Sequence, residues 1–275
     1  MKRILTAIAM AVILIPILIW GDHFHIFDMF CLLAAAGAAW ELRVMTGKTR
    51  PQPRWVDLLA IILSAGVYAA LRFSTETAGV SLYAAVLALF LVCGFLLVFV
   101  EGFKSDDFGN FLSAAVYGSV GFAAIAVLRN ADIHWVIYIL LGAMLTDTAA
   151  YFFGIRFGKH RLCPTISPKK SVEGAIAGTV FGAAATISYA FFVPFFPEGF
   201  HPVVIILVSI AIPIVAQVGD LVASKLKRSY GIKDYSNLFP GHGGILDRFD
   251  STMFAAAFLV LVLLIAMAVF VPATL

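Results

Sequence analysis

An all-α, polytopic membrane protein is the fold class this chain predicts, and three observations predict it. The composition is 62% hydrophobic and only 13% charged, far from the balance of a water-soluble domain. Nine apolar runs fall near residues 4–20, 26–45, 55–73, 80–100, 108–128, 133–153, 172–196, 202–224 and 252–273. Each comes close to the roughly 20 residues that cross a hydrocarbon layer about 30 Å thick. Basic residues are distributed one-sidedly about these runs. With a cytoplasmic N-terminus and an external C-terminus, only Arg72 and Arg129 of the 19 lysines and arginines face outward, the asymmetry expected of cytoplasmic loops. Backbone groups in lipid must satisfy one another, so each run reads as a helix.

The first run follows Lys2 and Arg3 and has no small-x-small cleavage site after it, so it reads as a retained signal-anchor helix. The second carries Glu41 and Arg43 near its end and is the least regular of the nine. Asp22, His23, His25 and Asp28 precede or open it, in an outer loop that needs only solvation. Up to residue 130 the spans are joined by short loops and hold little polar content. Beyond it the chain changes role within one membrane domain, 1–275. Residues 131–275 hold two charged cytoplasmic loops, 154–171 and 225–251, and carry Asp147 and Asp220 within or at the end of spans. Cys31, Cys93 and Cys163 have neither metal-ligand nor disulfide spacing. The net charge of +3 reflects a one-sided membrane distribution and needs no nucleic acid to explain it.

Three constellations carry chemistry. In AQVGDLVASKLKRS, residues Gln217, Asp220, Ser224 and Lys227 recur at helical spacing and form one polar face on an apolar helix. An ionisable group at membrane depth faces a partner or a wet cavity; pairing of Asp220 with Lys227 or a neighbouring helix is the plainer alternative. In LTDTAAYFFGIRFGKH, Asp147, Tyr151, Gly154 and Gly158 share a face, its glycines permitting close approach of a helix or a phosphate. The segment Ser167–Gly174 reads as a helix start, and Lys169 and Lys170 there reinforce its preference for anions. The third constellation, Ser224–Asp250, is the most specific. It combines Lys225, Lys227, Arg228, Lys233 and Arg248 with Asp234, Asp247 and Asp250. Gly241, Gly243 and Gly244 surround His242, where a backbone can approach a phosphate. Asp247 and Asp250 are hard oxygen donors of the kind Mg²⁺ takes beside substrate phosphates.

The order of these residues resembles the signature of the phosphatidate cytidylyltransferases, also called CDP-diacylglycerol synthases. Ser224, Leu226, Lys227, Arg228, Lys233, Asp234, Ser236, Phe239, Pro240, His242, Gly243, Gly244, Ile245, Asp247, Arg248, Phe249 and Asp250 meet every constrained position. The resemblance covers roughly residues 140–251; the N-terminal half resembles the family only in being apolar spans. It implies transfer of the cytidylyl group of CTP to phosphatidate, with release of pyrophosphate, in a bacterial inner membrane. It further implies Mg²⁺ on Asp220 and Asp247, a second cation being left open. Lys227, Arg228 and Arg248 then act on the triphosphate. Asp147, Tyr151, Lys169, Lys170, Ser224, Lys225, Lys233, Asp234, His242, Gly243, Gly244 and Asp250 bind substrate. A homodimer is plausible for the family. The rival class is a membrane transporter of an anionic substrate, but the polar residues cluster at one end of the spans with no polar path to the other. The Asp-Gly-x-x-Ala-Arg motif of phosphatidyltransferases is absent. Gly47-Lys48-Thr49 lacks the upstream glycine of a P-loop.

Overall fold

The computed structural model describes residues 2–21, 25–49, 51–74, 77, 79–197 and 200–270. Asp22, His23 and Arg50 lie outside the described residues, as do the side chains of Lys2 and Arg3. The elements in chain order are α1 (Lys2–Trp20), α2 (Ile26–Gly47), α3 (Arg54–Arg72), α4 (Val80–Phe99), α5 (Ser105–Ala131) and α6 (Ile133–Phe157). The hairpin strands β1 (Arg161–Cys163) and β2 (Ser167–Ser171) follow, then α7 (Val172–Phe192), α8 (Pro202–Ser229) and α9 (Leu246–Phe270). Eight helices, α2 to α9, are long and apolar enough to cross a membrane; in α1 the described apolar stretch, Ile8–Trp20, is shorter.

The structure changes the expected loop boundaries. The 154–171 segment is shortened by α6, which continues to Phe157, and the remainder folds into an antiparallel hairpin. Lys169 and Lys170 therefore lie on β2, and the helix starts after them, with Ser171 as its N-cap accepting from the Gly174 N–H at 3.1 Å. The 225–251 segment is shortened from both ends. Helix α8 runs on through Lys225, Lys227 and Arg228, cations that complement the partial negative charge of a helix C-terminus. Helix α9 begins at Leu246, so Asp247, Arg248 and Asp250 sit on its first turns.

The chain forms two compact units. The first joins the residues up to Val127 to Ser229–Phe249, and the second joins Leu128–Arg228 to the chain from Asp250 onward. The signature loop is thus packed with the N-terminal spans, although its sequence position groups it with the C-terminal ones.

Within the first unit, α2 packs on α3 and α3 on α4. Asp28, expected in a solvated loop, is 8% exposed on the first turn of α2. It is paired with Arg72 at 2.8 Å, and the Tyr68 hydroxyl donates to its carbonyl at 3.0 Å. Arg43, 2% exposed, pairs with Asp57 at 2.7 Å. The hydroxyls of Ser64 and Ser119 join α3 to α5 at 2.7 Å. Asp28 and Arg43 have each found an oppositely charged partner, which offsets the cost of burying a charge.

Within the second unit, α6 and α7 lie in close contact because Gly174, Gly178 and Gly182, at four-residue spacing, remove side chains from the α7 face. A Cβ on Gly174 would stand 2.7 Å from the Ala150 carbonyl oxygen, and one on Gly178 would stand 2.7 Å from that of Thr146. Gly154 on α6 faces the Ser171 hydroxyl. The Thr186 hydroxyl donates to the Ser209 carbonyl at 2.9 Å, linking α7 to α8, and the Tyr138 and Ser209 hydroxyls link α6 to α8 at 2.7 Å. Gly178→Val should cost about 1–3 kcal/mol by overpacking, read as a lowered thermal midpoint of the detergent-solubilised protein. Gly66→Ala, where a Cβ meets nothing within 4 Å, should leave that midpoint unchanged or raise it.

Candidate active site

In the second unit, Asp147 from α6, Asp220 from α8 and Asp250 from α9 lie within Coulomb reach of one another, with Lys170 and Lys227 among them. The close packing of α6 on α7 and the hairpin sets this arrangement, since it carries β2 and Lys170 over to α8. The Lys170 ammonium pairs with Oδ2 of Asp220, both side chains being about one-quarter exposed. The Ser224 hydroxyl donates to Oδ1 of the same carboxylate at 3.3 Å, one turn along α8. Gln217, the next residue of the expected stripe, instead donates to the Thr179 hydroxyl on α7 at 3.0 Å. Lys227 and Asp250 are each 8% exposed, and Asp250 accepts from the Ser251 N–H at 2.7 Å. Asp147 and Lys169 are exposed. Tyr151 is exposed too, its ring stacked edge-on against Phe152. Gly154 and Gly158 both abut Ser171, so these glycines accommodate the α7 N-cap.

The first unit holds the signature loop, and its construction follows from its residues. Pro240 and Gly241 occupy the central positions of a turn closed by the His242 N–H donating to the Phe239 carbonyl at 2.8 Å. Proline pre-sets the first position, and Gly241, at φ 78°, supplies the left-handed second one. Phe239 donates in turn to the Gly243 carbonyl at 2.9 Å. Two carboxylates then clasp the segment that leads into α9. Oδ2 of Asp247 accepts from the N–H groups of Tyr235 at 2.8 Å and Gly244 at 2.9 Å. Oε1 of Glu41, on α2, accepts from the Ser236 hydroxyl at 2.6 Å and the Ile245 N–H at 2.8 Å; its Oε2 accepts from the Leu246 N–H at 2.9 Å. The first N–H groups of a helix have no partner within it, and here Glu41 serves as the partner of the Leu246 N–H.

Such contacts explain the paired glycines. A Cβ on Gly244 would overlap the Glu41 carboxylate, and one on Gly243, already at φ 81°, would meet Asp247 at 2.7 Å. Protein carboxylates approach both glycines, and the Gly244, Ile245 and Leu246 N–H groups donate to them. His242 is half-buried, and its Nδ1 is buried without a hydrogen-bond partner. Lys225, Arg228, Lys233, Asp234 and Arg248 are exposed. Glu41 is fully buried and was read in the sequence only as an irregularity in a span. An ionisable residue within an apolar run is itself a sign of function, but nothing local identifies its partners.

As a donor set, the carboxylates offer hard oxygens, and an ammonium already stands on Asp220. Among the described residues no group of three or more His, Cys, Asp or Glu side chains converges as a metal centre. This chemistry fits Mg²⁺, which is commonly held by one or two carboxylates and completed by substrate phosphates and water.

The match to proteins of known family extends over nearly the whole chain. The model of the cytidylyltransferase family matches residues 1–266. A Staphylococcus haemolyticus protein named phosphatidate cytidylyltransferase is 34% identical over 271 residues, covering 95% of this chain and 98% of that protein. A Staphylococcus aureus protein of the same name is 32% identical over 267 residues, with the same shares of each chain covered. Taken with the signature loop and the carboxylate cluster, the chain belongs to the cytidylyltransferase family.

Proposed function

We propose that this protein catalyses CTP + phosphatidate → CDP-diacylglycerol + pyrophosphate at the cytoplasmic face of a bacterial inner membrane. The observation that carries the reading is the gathering of Asp147, Asp220, Asp250 and Lys227, on otherwise apolar helices, with Lys170 of the hairpin. The name borne by the bacterial relatives supports it, whereas the anion-carrier alternative draws no support from them. In this reading all nine helices cross the membrane, with the N-terminus cytoplasmic and the C-terminus outside. A homodimer is compatible with it.

The reaction requires a phosphate oxygen of phosphatidate to attack the α-phosphorus of CTP. A bond forms from that oxygen to phosphorus as the bond to the bridging oxygen of the β-phosphate breaks, and pyrophosphate leaves with that electron pair. Two polyanions must approach, and each pair of unit charges at 4 Å repels by about 4 kcal/mol at an effective dielectric near 20. Lysine and arginine clamps offset such repulsion and the charge that builds on the leaving oxygens. Lys170, Lys227, Arg228 and Arg248 are assigned this work, with Lys169, Lys225 and Lys233 as outlying phosphate contacts. Asp220 and Asp247 are the carboxylates assigned to Mg²⁺, which would neutralise phosphate charge when bound. Phosphatidate is already an anion near neutral pH, so no strong base is needed. Asp147, Tyr151, Ser224, Asp234, His242, Gly243, Gly244 and Asp250 complete the substrate-contacting set.

Purified full-length protein in phosphatidate–detergent micelles should form CDP-diacylglycerol from CTP, and chelation of divalent metal should stop it. Absence of product from folded, CTP-supplied protein in the presence of Mg²⁺ would refute the reading. Asp247→Asn should lower turnover about a hundredfold or more, the scale of losing a principal electrostatic group. The asparagine oxygen can still accept from Tyr235 and Gly244, so circular dichroism and the thermal midpoint should stay near wild type.

A further inference from the structure

We infer that Glu41 is a positioning residue for cytidylyl transfer, acting through the segment 236–246. The inference rests on the proposed reaction and extends it to a residue outside the signature. Glu41 lies 195 positions before Ser236 in the chain and 205 before Leu246. Its carboxyl is fully buried, yet both oxygens are engaged, one by the Ser236 hydroxyl and the Ile245 N–H and the other by the Leu246 N–H. Burying a carboxyl among apolar helices is costly unless it is hydrogen-bonded. A residue serving only as packing would be better apolar, as its neighbours Ala38, Ala39 and Leu42 are.

What the three bonds hold is the start of α9 and the turn before it. Arg248 and Asp247, both assigned to the reaction, lie within three residues of the Glu41-bound amides. Asp247 completes the clasp from within the same unit, taking the Gly244 N–H, while Gly244 lacks a side chain where Glu41 approaches. The loop conformation is therefore set by a span distant in sequence. Catalytic groups displaced by even about 1 Å lose rate steeply, because alignment at the transition state depends on their placement. Glu41 contacts loop and helix atoms, so its effect should appear in turnover rather than in substrate affinity.

The test compares full-length wild type with Glu41→Gln, Glu41→Ala and Ser236→Ala in the CTP–phosphatidate assay, normalised to folded protein. Amide hydrogen exchange over 236–246 is followed in parallel. Glu41→Gln places an amide nitrogen against one of the three donors, and kcat should fall about tenfold, equivalent to about 1.4 kcal/mol. Glu41→Ala should fall further and Ser236→Ala severalfold. KM for CTP should stay within about twofold throughout, and exchange should quicken at Ile245 and Leu246 in both Glu41 variants. A kcat within twofold of wild type in the Glu41 variants would overturn the inference. So would losses that vanish once rates are normalised to folded protein. Where Glu41→Ala does not fold, Ser236→Ala decides, and an unchanged kcat there overturns it. Inactive wild type would refute the proposed reaction itself, an outcome separate from active wild type with indifferent variants.

Discussion

A polar group carried into an apolar span has to find its partner inside the protein, because lipid offers none. Much of this structure follows from that constraint. Asp28 is held by Arg72, Arg43 by Asp57 and Asp220 by Lys170, each pair formed between different elements. Glu41 meets the same requirement with backbone and hydroxyl donors. Where the partner is an ion, two elements are tied together. Where the partners are successive backbone N–H groups, a loop acquires a single conformation.

Glycine serves both units for one physical reason, the missing Cβ. Along α7 it lets a helix come against α6 at Thr146 and Ala150, and the close contact delivers Lys170 of the hairpin to the Asp220 carboxylate. In the signature loop it lets two carboxylates reach backbone N–H groups that a side chain would shield. The loop is thereby held by bonds to its own protein.

The family assignment and the geometry address different links of the argument. Likeness along nearly the full chain establishes the family. The carboxylates and cations of the second unit give the proposed reaction a physical basis, since an anionic phosphate monoester cannot approach a triphosphate without charge compensation. Lys227 and Asp250 are buried within Coulomb reach of each other, so each lowers the cost of the other's burial. Asp147 and Lys169 stand exposed.

The sequence alone determined the class of protein, because length and apolarity are sufficient to mark a membrane span and loop charge carries its own asymmetry. It also determined the signature, whose residue types are confined to one short segment. Local reading failed where a partner lies far along the chain. The start of α9 at Leu246 depends on Glu41, about 200 residues away, so the sequence showed Asp247 and Asp250 as loop residues. The last turn of α8 and the hairpin at 161–171 likewise depend on what packs around them, since neither has a strong period of its own. Only tertiary structure could decide that Gly243 and Gly244 make room for carboxylates, because a glycine shows where a side chain is forbidden and never what occupies the space.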